Sequence, residues 1–228
     1  MSRKNLIVGQ SGGPTAVINS SLYGVVSEGM RHPEAIEHVY GMINGIEGFL
    51  NGTVLDFAEA LPGEKLDGLK VTPGAYLGSC RYKLPESLED PVYPRLFKKF
   101  EEMNIGCFFY IGGNDSMDTV DKLSKYLSDK GITDITVVGA PKTIDNDLCG
   151  TDHCPGFGSA AKYIGTTFAE LERDCHVYTT KAVTIVEVMG RDAGWLTAAS
   201  CLARANGAKG PDFIYLCEVP FSIDTFLK

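Results

Sequence analysis

The sequence predicts an α/β fold built on a doubly wound, mostly parallel sheet. Short apolar runs alternate along the chain with longer amphipathic stretches. Most of those runs are continuously apolar rather than alternating, as strands covered on both faces require. Each is also followed by a loop rich in glycine or charge, which is where open α/β sheets hold their ligands.

Taken in chain order, Asn5–Gly9 is the first apolar run and predicts a strand, and Ala16–Arg31 has helical periodicity. Pro94–Asn104 predicts the next helix, leading into a strand at Cys107–Ile111. Met117–Lys130 is amphipathic and precedes a strand at Ile135–Gly139. Gly158–Asp174 and Gly194–Ala205 predict two further helices, with strands at Ala182–Val188 and Asp212–Cys217. Strand-helix alternation of this kind argues for parallel crossover units. The polar, Gly- and Pro-bearing stretch from Cys149 to Gly158 is the best candidate for a crossing between domains.

Composition narrows the function. The chain has 228 residues, 44% of them hydrophobic, enough for one large or two smaller domains with a real core. A formal net charge of −8 argues against a nucleic-acid partner, since phosphate backbones attract basic faces. The N-terminal apolar run is far too short for a signal-peptide core, and no stretch approaches a membrane span. Seven scattered cysteines suit reduced thiols, so a cytoplasmic protein is expected.

The loops carry the chemistry. Gly9 to Thr15 places the Gly12-Gly13 pair between a strand and a helix, where backbone N–H groups can approach an anion. The same pair would serve a tight turn needing positive φ. In Tyr110 to Ser116, two glycines precede Asn114, Asp115 and Ser116, whose oxygens suit a hard cation such as Mg²⁺; Asp115 or Ser116 could equally cap a helix. Pro141-Lys142-Thr143-Ile144-Asp145-Asn146-Asp147 is the most informative. One carboxylate can accept a hydroxyl proton while the other helps to hold Mg²⁺, and Lys142 can neutralise a phosphoryl group in transfer. The competing reading is a solvated Asx turn.

Other positions say less alone. Arg81, in Gly78-Ser79-Cys80-Arg81, has a planar fork that matches phosphate oxygens. Met189-Gly190-Arg191 offers close backbone approach and donors, and Glu218 could bind sugar hydroxyls. Cys149, His153 and Cys154 fit no standard zinc spacing, and His176 has no adjacent group to orient it.

In these residues the chain resembles the phosphofructokinase family. The match runs in family order through Gly12-Gly13, Gly78 to Arg81, Gly112 to Ser116, Pro141 to Asp147, Met189 to Trp195 and Glu218. NAD kinases and lipid kinases share a similar Gly-Gly-Asp loop but lack the Thr-Ile-Asp-Asn-Asp and Met-Gly-Arg blocks. The resemblance implies a donor-phosphate domain over residues 1–150 and, over 151–228, the beginning of a sugar-phosphate domain. It implies Asp145 as the base on the C1 hydroxyl of fructose 6-phosphate, with Lys142 and Asp115 as its catalytic companions. Gly12, Gly13, Arg81 and Ser116 would contact the donor. Thr143, Asp147, Met189, Gly190, Arg191 and Glu218 would contact the sugar phosphate, and Asn114 would stand at the Mg²⁺ position.

Asp115 and Lys142 stand where ATP-using members typically carry glycine, so the resemblance is to the diphosphate-dependent branch, whose reaction should be reversible. An ATP-dependent enzyme is the alternative, as is a non-catalytic chain that binds sugar phosphate. Two departures are visible: Asn114 replaces the usual Asp, and Lys181-Ala182 lies where ATP-using members often carry an intersubunit arginine. Family members are longer than 228 residues, so the resemblance implies a fragment. It also implies a homo-oligomer, dimer or tetramer.

Overall fold

The structure, a computed structural model, describes residues 3–228. The chain forms two compact units, one reaching Lys142 and one running from Thr143 to Lys228.

The first unit is a five-stranded sheet in the order β3-β2-β1-β4-β5, with β1 at Lys4–Gln10, β2 at Ile36–Met42, β3 at Val54–Asp56, β4 at Ile105–Gly112 and β5 at Thr136–Pro141. Strand β1 runs parallel to β2 and β4, and β4 parallel to β5; short β3 is antiparallel at the edge. The helices are α1 (Ile18–Arg31), α2 (Gly45–Leu50), α3 (Phe57–Ala60), α4 (Val92–Glu102) and α5 (Asn114–Lys130), with a 3-10 helix over Gly63–Val71.

Each strand feeds both faces. Leu6 and Val8 point to one layer, where Ile18, Leu22 and Val26 of α1 recur at intervals of four and pack with Phe57, Leu69 and Leu77. Ile7, Phe108 and Tyr110 point to the other, against Phe97 and Phe100 of α4 and Leu123 and Tyr126 of α5. Two-sided burial explains why these strands read as continuous apolar runs.

Strands β2 and β3 are not among the sequence expectations. Glu37, His38 and Asp56 interrupt their apolar pattern because this margin of the sheet faces solvent. Conversely, Ala182–Val188 and Asp212–Cys217 form no strand; Val183 is 87% exposed and Phe213 75%. Their composition suits a strand, but among the described residues neither segment has a ladder partner, and an apolar run without one is not a strand. Helix α5 begins at Asn114, three residues before the expected Met117, with Gly113 at the cap position. Asp115 and Ser116 therefore lie in its first turn and do not cap it.

Beneath the sheet's carboxyl end, Gln10 is fully buried. Its Nε2 donates to the Ile18 carbonyl at 3.1 Å and to Asn19 Oδ1 at 3.0 Å, while its Oε1 accepts the Leu77 N–H at 2.9 Å. Asn19 in turn accepts from Tyr76 N–H at 2.9 Å and donates to the Thr72 carbonyl at 2.8 Å. This buried amide pair ties β1, α1 and the stretch 72–77 together, with its polar atoms satisfied.

The second unit is built on α6 (Phe157–Cys175). Its small residues Ala161, Gly165 and Ala169 are the buried ones, and a methyl group on Gly165 would come within 3.0 Å of Leu202. The expected helix over Gly194–Ala205 is α7 (Trp195–Ala199) continued by a 3-10 helix, Ser200–Asn206, and stopped by Gly207 at φ 81°. A short α8 spans Ile223–Phe226. Residues 143–156 open the unit as a tight structure of their own. Thr143 bridges Gly156 in parallel and its N–H donates to the Pro155 carbonyl at 2.9 Å. Asn146, at φ 59°, accepts the Cys154 N–H at 2.7 Å and donates to the Asp152 carbonyl at 3.1 Å. Asn is among the few side chains that tolerate this left-handed conformation. Among the described residues, no helix is long and apolar enough to cross a membrane.

Two stability predictions follow from these buried amides. Gln10→Leu leaves the Leu77 N–H without its acceptor and should destabilise the first unit by about 1–3 kcal/mol in urea unfolding. Asn146→Gly keeps the left-handed turn but loses both bonds, whereas Asn146→Ala also strains the backbone. Amide exchange at Cys154 should therefore accelerate in both, and more in the alanine variant; equal protection in all three proteins would contradict the assignment.

Candidate active site

In the first unit, β1 is followed by α1 and then β2 on one side, while β4 lies on the other and leads through α5 to β5. The sheet thus reverses its direction of growth between β1 and β4, and their carboxyl ends flank the switch point where α/β ligands bind. Register places Gln10 beside Ile111 and Gly112 beside Pro141, so the loops after β1, β4 and β5 leave from one level. Backbone bonds lace them together: Ser11 N–H donates to the Ile111 carbonyl at 2.9 Å, and Lys142 N–H to the Gly112 carbonyl at 2.9 Å.

The glycine loop after β1 receives the stretch held by Gln10. Gly12 N–H donates to the Cys80 carbonyl at 3.2 Å and Ser79 Oγ donates to the Gly12 carbonyl at 2.5 Å. Gly12 has φ 76°, the left-handed conformation that the turn reading of this pair requires. Gly13 is exposed, and the exposed side chain of Arg81 follows directly from Cys80. Lys142 is 3% exposed, and its ammonium donates to the Gly13 carbonyl, which seats a buried cation on the glycine loop.

The loop after β4 splits its expected ligands. Asn114 and Asp115 are exposed in the first turn of α5. Ser116 is 2% exposed and packed on Gly112, where an added methyl would lie 1.9 Å from Ser116 Oγ. Gly112 is thus explained by this close approach. Asp115 Oδ1 pairs at 3.0 Å with Lys83, a residue the motif reading did not single out. Lys122 was also missed. It is 7% exposed on α5, donates to the Leu84 carbonyl at 3.1 Å and pairs with Glu86 at 2.7 Å and Asp118 at 2.8 Å. Those two carboxylates hold its pKa well above the usual lysine range. The sequence signal for Lys122 is a lysine at an inward position beside Thr119, Leu123 and Tyr126; for Lys83 it is a second cation two residues beyond Arg81.

In the second unit, Thr143, Asp145 and Asp147 share one turn. Thr143 Oγ1 accepts the Asp145 N–H at 3.1 Å, and the buried Asn146 between the two carboxylates is the structural anchor. Its bonds to Asp152 and Cys154 also place the Cys149–Cys154 segment, in which Cys154 is buried and His153 packs edge-on to Phe157. Glu218 Oε1 accepts the Gly194 N–H at 2.7 Å, and that bond lowers its pKa below the usual carboxylate value. Gly190, at φ 123°, brings the Met189–Arg191 stretch so close to Ala193 that a methyl there would lie 2.3 Å from the Ala193 carbonyl oxygen. Met189 is 70% exposed, and Arg191 is exposed and paired with Asp192 at 2.9 Å. His176 contacts the Glu172 carbonyl at 2.7 Å.

Comparison with known proteins fits this arrangement. The family model described as Phosphofructokinase matches residues 5–228. The chain is 42% identical to pyrophosphate–fructose 6-phosphate 1-phosphotransferase of Halomonas elongata over 97% of its own length and 53% of that protein. It is also 42% identical to the enzyme of that name from Methylococcus capsulatus, over all of the chain and 54% of the relative. Relatives named ATP-dependent 6-phosphofructokinase are more distant, at 31%, 30% and 28% identity. Among solved structures, the pyrophosphate-dependent phosphofructokinase of Marinobacter aquaeolei superposes with a TM-score of 0.85 at 44% identity, over 98% of this chain and 55% of that one. The chain spans about half the length of the curated relatives it matches. With the switch-point loops, the Pro141–Asp147 block and the family match over residues 5–228 in agreement, the chain belongs to the phosphofructokinase family.

Proposed function

We propose that this chain carries the donor side and the catalytic turn of an enzyme that transfers a phosphoryl group from diphosphate to the C1 hydroxyl of fructose 6-phosphate. The products are fructose 1,6-bisphosphate and phosphate. The observation that carries the reading is the buried Lys142 ammonium, which donates to the Gly13 carbonyl and so stands as a fixed cation beside the glycine loop at the sheet's switch point. Such a preorganised charge stabilises a phosphoryl group in transfer without reorganising during the step.

In this reading the C1 oxygen attacks the terminal phosphorus and its proton passes to the Asp145 carboxylate. The bond from phosphorus to the bridging oxygen breaks, and phosphate leaves with that electron pair. Thr143 supports the Asp145 turn through its hydroxyl. Gly12, Gly13, Arg81 and Ser116 serve the donor, with Ser116 acting through the packing of Gly112. Asp147, Met189, Gly190, Arg191 and Glu218 serve the sugar phosphate, and Glu218, held ionised by Gly194, suits a hydroxyl-rich ligand.

Mg²⁺ belongs to the proposal as well. No group of three or more His, Cys, Asp or Glu among the described residues could cage an ion. The exposed side-chain oxygen of Asn114, in the first turn of α5, nevertheless suits a cation that keeps several waters and takes its remaining ligands from phosphates. When bound, Mg²⁺ would neutralise charge on the diphosphate oxygens. A cytosolic location and a homo-oligomeric state complete the proposal.

Two experiments on the enzyme test it. Asp145→Asn should lower kcat by about 10²–10⁴ while leaving KM for both substrates nearly unchanged, as loss of a general base does. A near-normal kcat with chemistry rate-limiting would remove Asp145 from the role. The donor is tested by kcat/KM for diphosphate and ATP in the wild type, Asp115→Gly, Lys142→Gly and the double variant. Asp115→Gly should improve ATP, Lys142→Gly should reduce diphosphate turnover chiefly in kcat, and the pair should shift the ratio furthest. A wild type that prefers ATP, or an unmoved ratio, would overturn the donor assignment.

A further inference from the structure

Lys83 lies between two fixed points of its loop. On one side, Cys80 is buried and its carbonyl accepts the Gly12 N–H and Ser11 Oγ, at 3.2 and 3.3 Å. On the other, Leu84 is 2% exposed and its carbonyl is held by the buried Lys122 of α5. Lys122 is seven residues, about two turns, beyond Asp115 on the same helix. The loop is therefore docked along α5, and Lys83 meets the helix's first turn, with Nζ 3.0 Å from Asp115 Oδ1.

The partners are open to solvent, with 70% and 73% of their side-chain surface exposed, so the pair adds little to stability. Its consequence lies in charge. An unpaired carboxylate beside the donor loop would repel a diphosphate as well as a nucleotide, because both are polyanions. Charge at Asp115 alone therefore cannot separate the two donors.

We propose that Lys83 is a donor-selecting residue that acts through Asp115. It cancels the Asp115 charge, so the carboxylate bars a nucleotide by its bulk while the diphosphate escapes repulsion. This rests on the donor reading above.

The test is steady-state kinetics with diphosphate and ATP at low and high salt, on enzymes whose folding is checked by thermal melts. Lys83→Met should raise KM for diphosphate about three- to thirtyfold, the scale of one uncompensated like charge at an exposed position, with kcat changed by less than about threefold. Added salt should narrow the difference. Adding Asp115→Asn to Lys83→Met should return KM to near the wild-type value, and Asp115→Asn alone should still exclude ATP. If the KM defect persists in the double variant, Lys83 contacts the donor itself and the proposal fails. If Asp115→Asn admits ATP as well as Asp115→Gly does, exclusion is by charge and the proposal again fails. A wild type inactive with diphosphate would instead overturn the donor reading, a result separable from these.

Discussion

The Gln10 side chain is the constraint on which the loops at the carboxyl end of the first sheet depend. It sits at the last position of β1, at the switch point, with no exposure to water. One amide cannot satisfy a carbonyl of α1, the Asn19 side chain of the same helix and the Leu77 N–H at once unless α1 and the stretch 72–77 both converge on it. The stretch 72–77 is irregular and has no ladder of its own, so this convergence fixes the backbone that continues into Gly78–Arg81. From there Ser79 and Cys80 grip the glycine loop, and the buried Lys122 holds the following turn to α5. Unsatisfied polar atoms at such depth are costly, and this converts a few hydrogen bonds into a single loop geometry.

Charge is then distributed over that frame by burial. Lys142 is buried, and its ammonium donates to the Gly13 carbonyl of the glycine loop. Lys122 is buried too, but its two acidic partners consume its charge, leaving it a structural role. Lys83 and Asp115 are exposed and offset each other in solvent. Three lysines of one chain thus differ in task through their surroundings and not their chemistry. In the second unit Asn146 does for the Thr143–Asp147 turn what Gln10 does for the first. It takes the backbone angle other residues resist, and its amide bonds place the carboxylates on either side.

Much of the fold was legible in the sequence because parallel strands buried on both faces read as unbroken apolar runs, as in Asn5–Gly9 and Cys107–Ile111. Strand β2 was hidden because Glu37 and His38 face solvent, and β3 because three residues carry no period. Ala182–Val188 misled for the opposite reason: its apolar composition suits a strand, but composition supplies no hydrogen-bonding partner. In the site, the ordered motifs identified the family and named the loops that the structure brings to the end of the first sheet. They did not separate the exposed Asp115 from the buried Ser116, adjacent in sequence but on different faces of the first turn of α5.

By itself the sequence determined the chemical inventory: which loops hold glycine, which hold carboxylates, and that two stand on either side of one asparagine in Asp145-Asn146-Asp147. Those are local properties, set by residue type and short spacing. Only the tertiary structure decided which cation does what. Lys83 meets Asp115 from 32 positions away and Lys142 reaches Gly13 from 129. Burial and pairing at such separations arise from packing of the whole sheet, and no local pattern encodes them.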